Sequence, residues 1–468
     1  MSNPGEADAT PITSVRQLAD YLAAGSKPRA AWRIGTEHEK FGFREADLTP
    51  PPYEPGGIRA VLDGIAGRGG PDQGGPDQGG SGRWEPINDG GNPIGLKGEG
   101  ERAGASVSLE PAGQLELSGA PLADLRATAA ELEAHFAEVR RTAGPLGLGF
   151  APLGFHPFAS REAMPWMPKS RYAIMRRYMP EVGTMGLDMM LRTCTVQVNL
   201  DFGSEADMAR KLRVALALQP LATALFANSP FREGKPSGFL STRAHVWTDV
   251  DGARSGMPGL MFGDEFGFER FAAWALDVPM YFVLRGGRYV DLAGRSFRDL
   301  MAGRLDPGIG PATLGDFADH ITTIFTDVRL KRFLEMRGAD AGSAPMMLAL
   351  GAFWVGLLYD EPALAAAESL VRRHPWESYA ALRPLVPRLG LGTPFGAGTL
   401  RDLAREAVAI AGDGLRGRRD AGIPDETGYL EPLAAIAEGA PTQAEQALAL
   451  FHGAWQGNAG EALRYGAV

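Results

Sequence analysis

The sequence predicts an α+β protein in which one face of a sheet is lined with acids. Two observations carry this. Four segments alternate polar and apolar residues with period two, and long stretches between and after them place apolar residues at helical spacing. A composition of 44% hydrophobic and 22% charged residues suits a chain that folds throughout.

In chain order, ITSVRQLADYLAAG predicts a surface helix, with Val15, Leu18 and Leu22 in register, a Thr13 or Ser14 cap and Gly25 following. RIGTEHEKFGF predicts the first strand and sets Glu37 and Glu39 on one side. The doubled GGPDQ between Gly69 and Gly80 has nothing to bury, which predicts a disordered loop at about residues 67–82. In SVSLEPAGQLELSG, Gln114, Glu116 and Ser118 share a face after the Pro-Ala-Gly interruption, with Glu110 just before it.

Leu125, Ala129, Leu132, Phe136 and Val139 mark a packed helix that ends at Gly144-Pro145. CTVQVNLDF turns Cys194, Val196, Val198, Leu200 and Phe202 one way and Thr195, Gln197, Asn199 and Asp201 the other. A helix capped at Ser204 follows, with Pro220 as its kink. MYFVLRGGRYVDL is a hairpin signal centred on Gly286-Gly287. VRLKRFLEMRGAD reads as the fourth strand, with Glu335 and Arg337 opposite Leu334 and Met336, and residues 361–468 read as mostly helical.

If these strands share a sheet, five glutamates converge, and each pair at about 5 Å repels by roughly 3 kcal/mol at an effective dielectric near 20. Cations make such a face tolerable. Oxygen ligands suit Mg²⁺, which commonly joins carboxylates to substrate phosphates. With seven histidines and no HExxH pair, a histidine-held transition metal is not indicated. No GxxxxGK[ST] is present to cradle phosphates, RLGLGTPFGAG ending at Gly398 reads as a surface turn, and no GxSxG elbow supports a hydrolase.

The single cysteine, Cys194, excludes an internal disulfide and falls on the apolar side, where it reads as an inert buried thiol. A net charge of −9 without a basic run disfavours nucleic acid as a partner. No apolar run reaches the roughly 20 residues needed to span a bilayer. The first fifteen residues lack a leader pattern, which sets a cytoplasmic expectation. Monomer and homodimer both stay open.

At these same residues the chain resembles the plant-type glutamate–cysteine ligases, a group with many bacterial members. The matching text includes GTEHEKFGF, SLEPAGQLELSGAP, RTCTVQVNLDF, ANSPFREGKPSGFLSTRAHVWTD and VRLKRFLEMRGAD, and it covers most of residues 30–360. The resemblance implies a curved antiparallel sheet forming a funnel wrapped by helices, of the glutamine synthetase type. It also implies a flexible tail over residues 1–12 and one catalytic domain over residues 13–468. The implied reaction joins the γ-carboxylate of glutamate to the amine of cysteine through γ-glutamyl phosphate, with ATP as co-substrate and two or three Mg²⁺ ions. This is the first step of glutathione biosynthesis.

On that template Glu37, Glu39, Glu110, Glu116, Glu335 and Gln197 are the implied metal ligands, and Glu335 and Arg337 the catalytic pair. Arg337 and Asn199 would meet ATP, while Arg171 and Arg243 would grip substrate carboxylates. The chain departs from the pattern after Arg337, where it reads GADAGSAPMMLALGAFW against GADGGPWRRLCALPAFW in family members. It also lacks the cysteines of redox regulation. A ligase for another amine, or a binding protein without turnover, would keep the same acid face and differ in reaction.

Overall fold

The computed structural model describes residues 8–67 and 82–468. The first seven residues and the GGPDQ segment, expected as loose tail and disordered loop, lie outside the described residues. Residues 8–12 depart from the tail expectation. The Leu314 and Gly315 N–H groups donate to the Thr10 and Asp8 carbonyls at 2.9 Å each, and Ile12 is buried, so an apolar anchor and backbone pairing hold this stretch down.

Among the described residues the main sheet has nine strands: β1 (Ile34–Arg44), β2 (Arg83–Asp89), β3 (Asn92–Glu99), β4 (Ser106–Leu109), β5 (Leu115–Ser118), β6 (Leu148–Ala151), β7 (Thr195–Leu200), β8 (Val328–Leu330) and β9 (Leu334–Asp340). Their order is β8-β9-β7-β1-β5-β4-β3-β2, with β6 on the far half of β1, and every pairing is antiparallel. The sequence reading found four of these segments. It took residues 106–119 and 328–340 as single units, whereas each folds back as a hairpin.

Residues that face each other across neighbouring strands point to the same side of a sheet. Glu39 stands opposite Glu116, Glu37 opposite both Ser118 and Gln197, and Glu335 opposite Asn199. Register therefore puts the acids, Gln197 and Asn199 on one face. The other face of β7 and β9 presents Val196, Val198, Leu200, Leu334 and Met336, all buried in the largest apolar core. Helices Glu205–Ala217 and Gln219–Leu225, separated at Leu218-Gln219 just before Pro220, and helix Ala344–Leu358 cover that face. Among the described residues no single helix is long and apolar enough to cross a membrane.

The caps follow local chemistry. Ser14 and Ser204 accept hydrogen bonds from the N–H groups of Gln17 and Asp207, so their helices start at Val15 and Glu205. The hairpin Phe282–Arg285 and Arg288–Asp291 turns on Gly286 and Gly287, whose φ angles of 53° and 74° suit glycine.

One buried ion pair supports the site from behind. Arg254 Nε donates to Asp251 Oδ2 at 2.6 Å, and its guanidinium lies 3.8 Å from the Tyr281 ring centroid. Tyr281 in turn packs on Tyr178 of helix Ser170–Val182, which carries Arg171. Replacing Asp251 with alanine leaves a buried guanidinium without its counter-charge. The expected cost is about 3–5 kcal/mol, read as a lower urea midpoint at unchanged slope.

Candidate functional site

A turn, a bulge and a short helix aim the side chains around the acid face. The β4–β5 turn closes with Gly113 N–H donating to the Glu110 carbonyl and Glu110 N–H to the Gln114 carbonyl, both at 2.9 Å. Gly113 takes a φ of 84°, and a Cβ there would lie 2.9 Å from Ile58, so glycine is required to hold Glu110 at the rim. In β9 the pairing slips between Met336 and Ala339, a bulge that turns Arg337 inward. Gly338 fits this bulge because its N–H donates to Gln219 Oε1 at 2.7 Å, where a Cβ would collide. Helix Thr242–Val246, capped by Ser241, presents Arg243.

Glu37, Glu116 and Glu335 are buried, with Glu39 and Glu110 half-buried beside them. Burial first, then Glu110 and Glu116, push the Glu39 carboxyl well above the usual carboxylate range. Burial, then Glu335, raise Glu37, and burial, then Glu116, raise Glu110. Glu39 Oε2 accepts the Thr195 N–H at 2.8 Å, and Glu37 Oε1 accepts from Asn199 Nδ2 at 2.8 Å. Glu116 is held by the hydroxyls of Ser108 and Ser118 at 2.9 and 3.2 Å. Buried Glu110 Oε1 and Asn199 Oδ1 have no hydrogen-bond partner among the described residues.

This donor set is all oxygen, and Arg243 near Glu39 and Lys169 and Arg171 near Glu110 do not offset the burial and mutual repulsion of these acids, which fits a hard divalent cation. The side chains stand apart. Among the described residues no three His, Cys, Asp or Glu groups form a ready-made metal site, so an ion here would need carboxylates to close on it.

Glu335 behaves differently from Glu37, Glu39 and Glu110. Burial alone would raise its pKa, but Arg329, Lys331 and Arg337 outweigh burial and hold it well below the usual range. Arg337 donates to Glu335 Oε1 and to Gln197 Oε1, joining the acid face to β7. Arg243 Nη2 donates to the Arg337 carbonyl at 2.8 Å, and its Nη1 lies 3.9 Å from Asp340.

A cavity opens over this corner, lined by Glu39, Glu110, Gln114, Thr195, Arg243 and Arg337, with Tyr172, Trp247 and three methionines, Met175, Met189 and Met190, as its apolar wall. Arg171 is not part of that lining. It is buried against the Tyr172 ring, 5.6 Å from the centroid, with Nε and Nη2 lacking a hydrogen-bond partner among the described residues. A buried guanidinium with two unused nitrogens is costly until an anion reaches it.

The sequence reading missed Lys169, Tyr172, Arg329, Lys331 and Trp247. Positions 329 and 331 share the period-two spacing of Glu335 and Arg337, a signal that was present in the text. Lys169, Tyr172 and Trp247 sit on helices or loops, where no spacing rule points to the sheet.

Cys194 is buried, with burial first and Glu39 second pushing its thiol well above the usual range. A maleimide should leave the folded protein unlabelled and take one equivalent after denaturation. Labelling of the folded chain would contradict this placement.

The glutamate–cysteine ligase family 2 model matches residues 33–464. The chain is 51% identical over 448 residues to a chloroplastic glutamate–cysteine ligase of Nicotiana tabacum, covering 96% of this chain and 81% of that protein. It is 50% identical over 450 residues to the chloroplastic enzyme of Medicago truncatula, covering 96% and 84%. Among solved structures, the glutamate–cysteine ligase of Francisella tularensis in complex with AMP aligns with a TM-score of 0.54 at 11% identity, over 93% of this chain and 87% of that one, a likeness of fold alone.

These relatives correct the cytoplasmic expectation. They are named as chloroplastic proteins, and the composition of fifteen residues, on which that expectation rested, does not carry a compartment. With the model spanning nearly the whole described chain and about half of all residues identical in these relatives, the chain belongs to glutamate–cysteine ligase family 2.

Proposed function

We propose that this chain joins the γ-carboxylate of glutamate to the amine of cysteine at the expense of ATP, the first step of glutathione biosynthesis. The observation that supports it best is the Glu39–Glu116 pair, directly opposed on neighbouring strands, with Arg243 and Arg337 beside it. Opposed acids flanked by arginines suit a reaction that brings phosphate and carboxylate together.

Glu37, Glu39, Glu110, Glu116, Glu335 and Gln197 would hold two or three Mg²⁺ ions. Bound there, the ions neutralise ATP oxygens and the incoming carboxylate. Arg171 and Arg243 orient glutamate by its carboxylates, through the two-pronged contacts that guanidinium allows. Asn199 lines the nucleotide end of the face.

A glutamate γ-carboxylate oxygen attacks the γ-phosphorus of ATP and ADP leaves, giving γ-glutamyl phosphate. Arg337 stabilises the charge on the transferring group, a contribution made by position rather than covalent chemistry. The cysteine amine then attacks the acyl carbon, phosphate departs, and the nitrogen gives up a proton. The methionine and aromatic wall beside Arg243 excludes water, which protects the acyl phosphate from hydrolysis.

The test is phosphate release by the purified chain with ATP and Mg²⁺, adding glutamate and cysteine singly and together. Release that needs both, with γ-glutamylcysteine as product, supports the proposal. Release with glutamate and a different amine keeps the chemistry and changes the acceptor. Absence of release with any amine leaves a binding protein.

A further inference from the structure

The turn between β8 and β9 brings three cations to one carboxylate. Arg329, fully buried and directly opposite Glu335, donates to both of its oxygens, Nη2 to Oε1 at 2.6 Å and Nε to Oε2 at 3.3 Å. Arg337 donates to the same Oε1. Lys331 Nζ lies 2.7 Å from Oε2.

These cations are not equally held. Arg329 has zero side-chain exposure and also donates to the Thr322 and Ile324 carbonyls, so its guanidinium is anchored on several sides. Arg337 is tied to Gln197 as well as Glu335. Lys331 sits in the turn itself with 19% of its side chain exposed, its ammonium against Glu335 and 4.6 Å from the Phe333 ring centroid. Its charge also offsets the burial of Glu37, which places it at the Glu37 end of the acid face.

Arg329 and Arg337 stay on Glu335 when Lys331 turns away, so the carboxylate is not left without a cationic partner. Two arginines locked in a planar fork cannot follow a ligand, whereas an ammonium on a four-carbon stem can. An arriving nucleotide brings several negative charges to a face that already carries acids.

We propose that Lys331 is a phosphate-binding residue of the nucleotide site, paired with Glu335 in the free protein and turning to a phosphate oxygen of ATP or ADP when the nucleotide enters. This rests on the ligase reading of the acid face. Lys331 keeps the polyphosphate in place next to Arg337 and releases it again with ADP.

The experiment compares the full-length chain with Lys331→Met and Lys331→Arg, all with Mg²⁺. Loss of one charge-assisted contact should weaken ADP binding, measured by calorimetry, by about tenfold or more. The KM for ATP should rise in parallel while the KM for glutamate stays within about twofold, and Lys331→Arg should recover much of the ADP affinity. Unchanged ADP affinity in Lys331→Met overturns the proposal, as does an equal rise in both KM values, which would mean that Lys331 acts only by shaping Glu335. The ligase reading fails separately, through a wild-type chain that binds ADP but makes no γ-glutamylcysteine. In that event the ADP comparison still decides the role of Lys331.

Discussion

Replacing Arg337 with methionine lowers kcat by about a hundred- to a thousand-fold, the range seen when one preorganised donor is removed from a developing charge. The KM for glutamate changes far less, because the carboxylate-gripping role is proposed for Arg171 and Arg243. Two contacts, to Glu335 and Gln197, make the Arg337 side chain hard to replace, and a third is the Arg243 guanidinium on its backbone carbonyl. The last survives substitution since it uses backbone, so Arg243 stays in place and the loss reports the Arg337 side chain. Lysine at this position should recover little, because a single ammonium used to hold Glu335 and Gln197 leaves no second nitrogen for the transferring group, whereas Arg337 binds both through Nη1 alone. Steady-state kinetics on both variants checks this, and a kcat within about threefold of wild type would remove Arg337 from the reaction.

Glu39→Gln separates stability from activity. Glutamine still offers an oxygen to the Thr195 N–H and cannot ionise, so it escapes the burial and the Glu110 and Glu116 repulsion that raise the Glu39 carboxyl. Each close pair relieved is worth up to roughly 3 kcal/mol at an effective dielectric near 20. Without divalent ions the variant should therefore melt above wild type. With Mg²⁺ the order reverses because the ion loses one carboxylate ligand, and a loss of about 3 kcal/mol in ion binding raises the half-saturating Mg²⁺ concentration by about a hundredfold. Melting curves with and without Mg²⁺, and Mg²⁺ titrations of activity, read the two effects. A variant less stable than wild type in the absence of metal would contradict the picture of an under-neutralised acid face.

The parts of the fold legible in the sequence were those that local periodicity encodes. β7 alternates without interruption, so its apolar and polar faces could be assigned residue by residue, and the caps at Ser14 and Ser204 followed from hydrogen-bonding chemistry alone. Period two also put Glu37 with Glu39 and Glu335 with Arg337. It could not say which strands would be neighbours, and the Glu39–Glu116 and Glu335–Asn199 pairs exist only through register.

The less legible parts depended on chain reversal and on distance. β2 and β3 form a hairpin through Gly90 and Gly91, both at positive φ, a turn whose flanking text, RWEPIND and NPIGLKGE, alternates too weakly to stand out. The turn at residues 331–333 was read through as continuous strand, which hid the opposition of Arg329 to Glu335. Arg171 and Arg243 lie on helices, and only the resemblance singled them out. The hold on residues 8–12 comes from backbone pairing with residues 312–315, which no side-chain pattern announces.

The central claim is that this face activates the glutamate side chain by phosphorylating it. Glutamate carrying ¹⁸O in its γ-carboxylate, incubated with ATP, Mg²⁺, cysteine and the purified chain, tests it most directly. The account predicts that each phosphate released carries one ¹⁸O, since the attacking carboxylate oxygen leaves with phosphorus when the amine displaces it. Phosphate free of label, alongside formation of γ-glutamylcysteine, would contradict it.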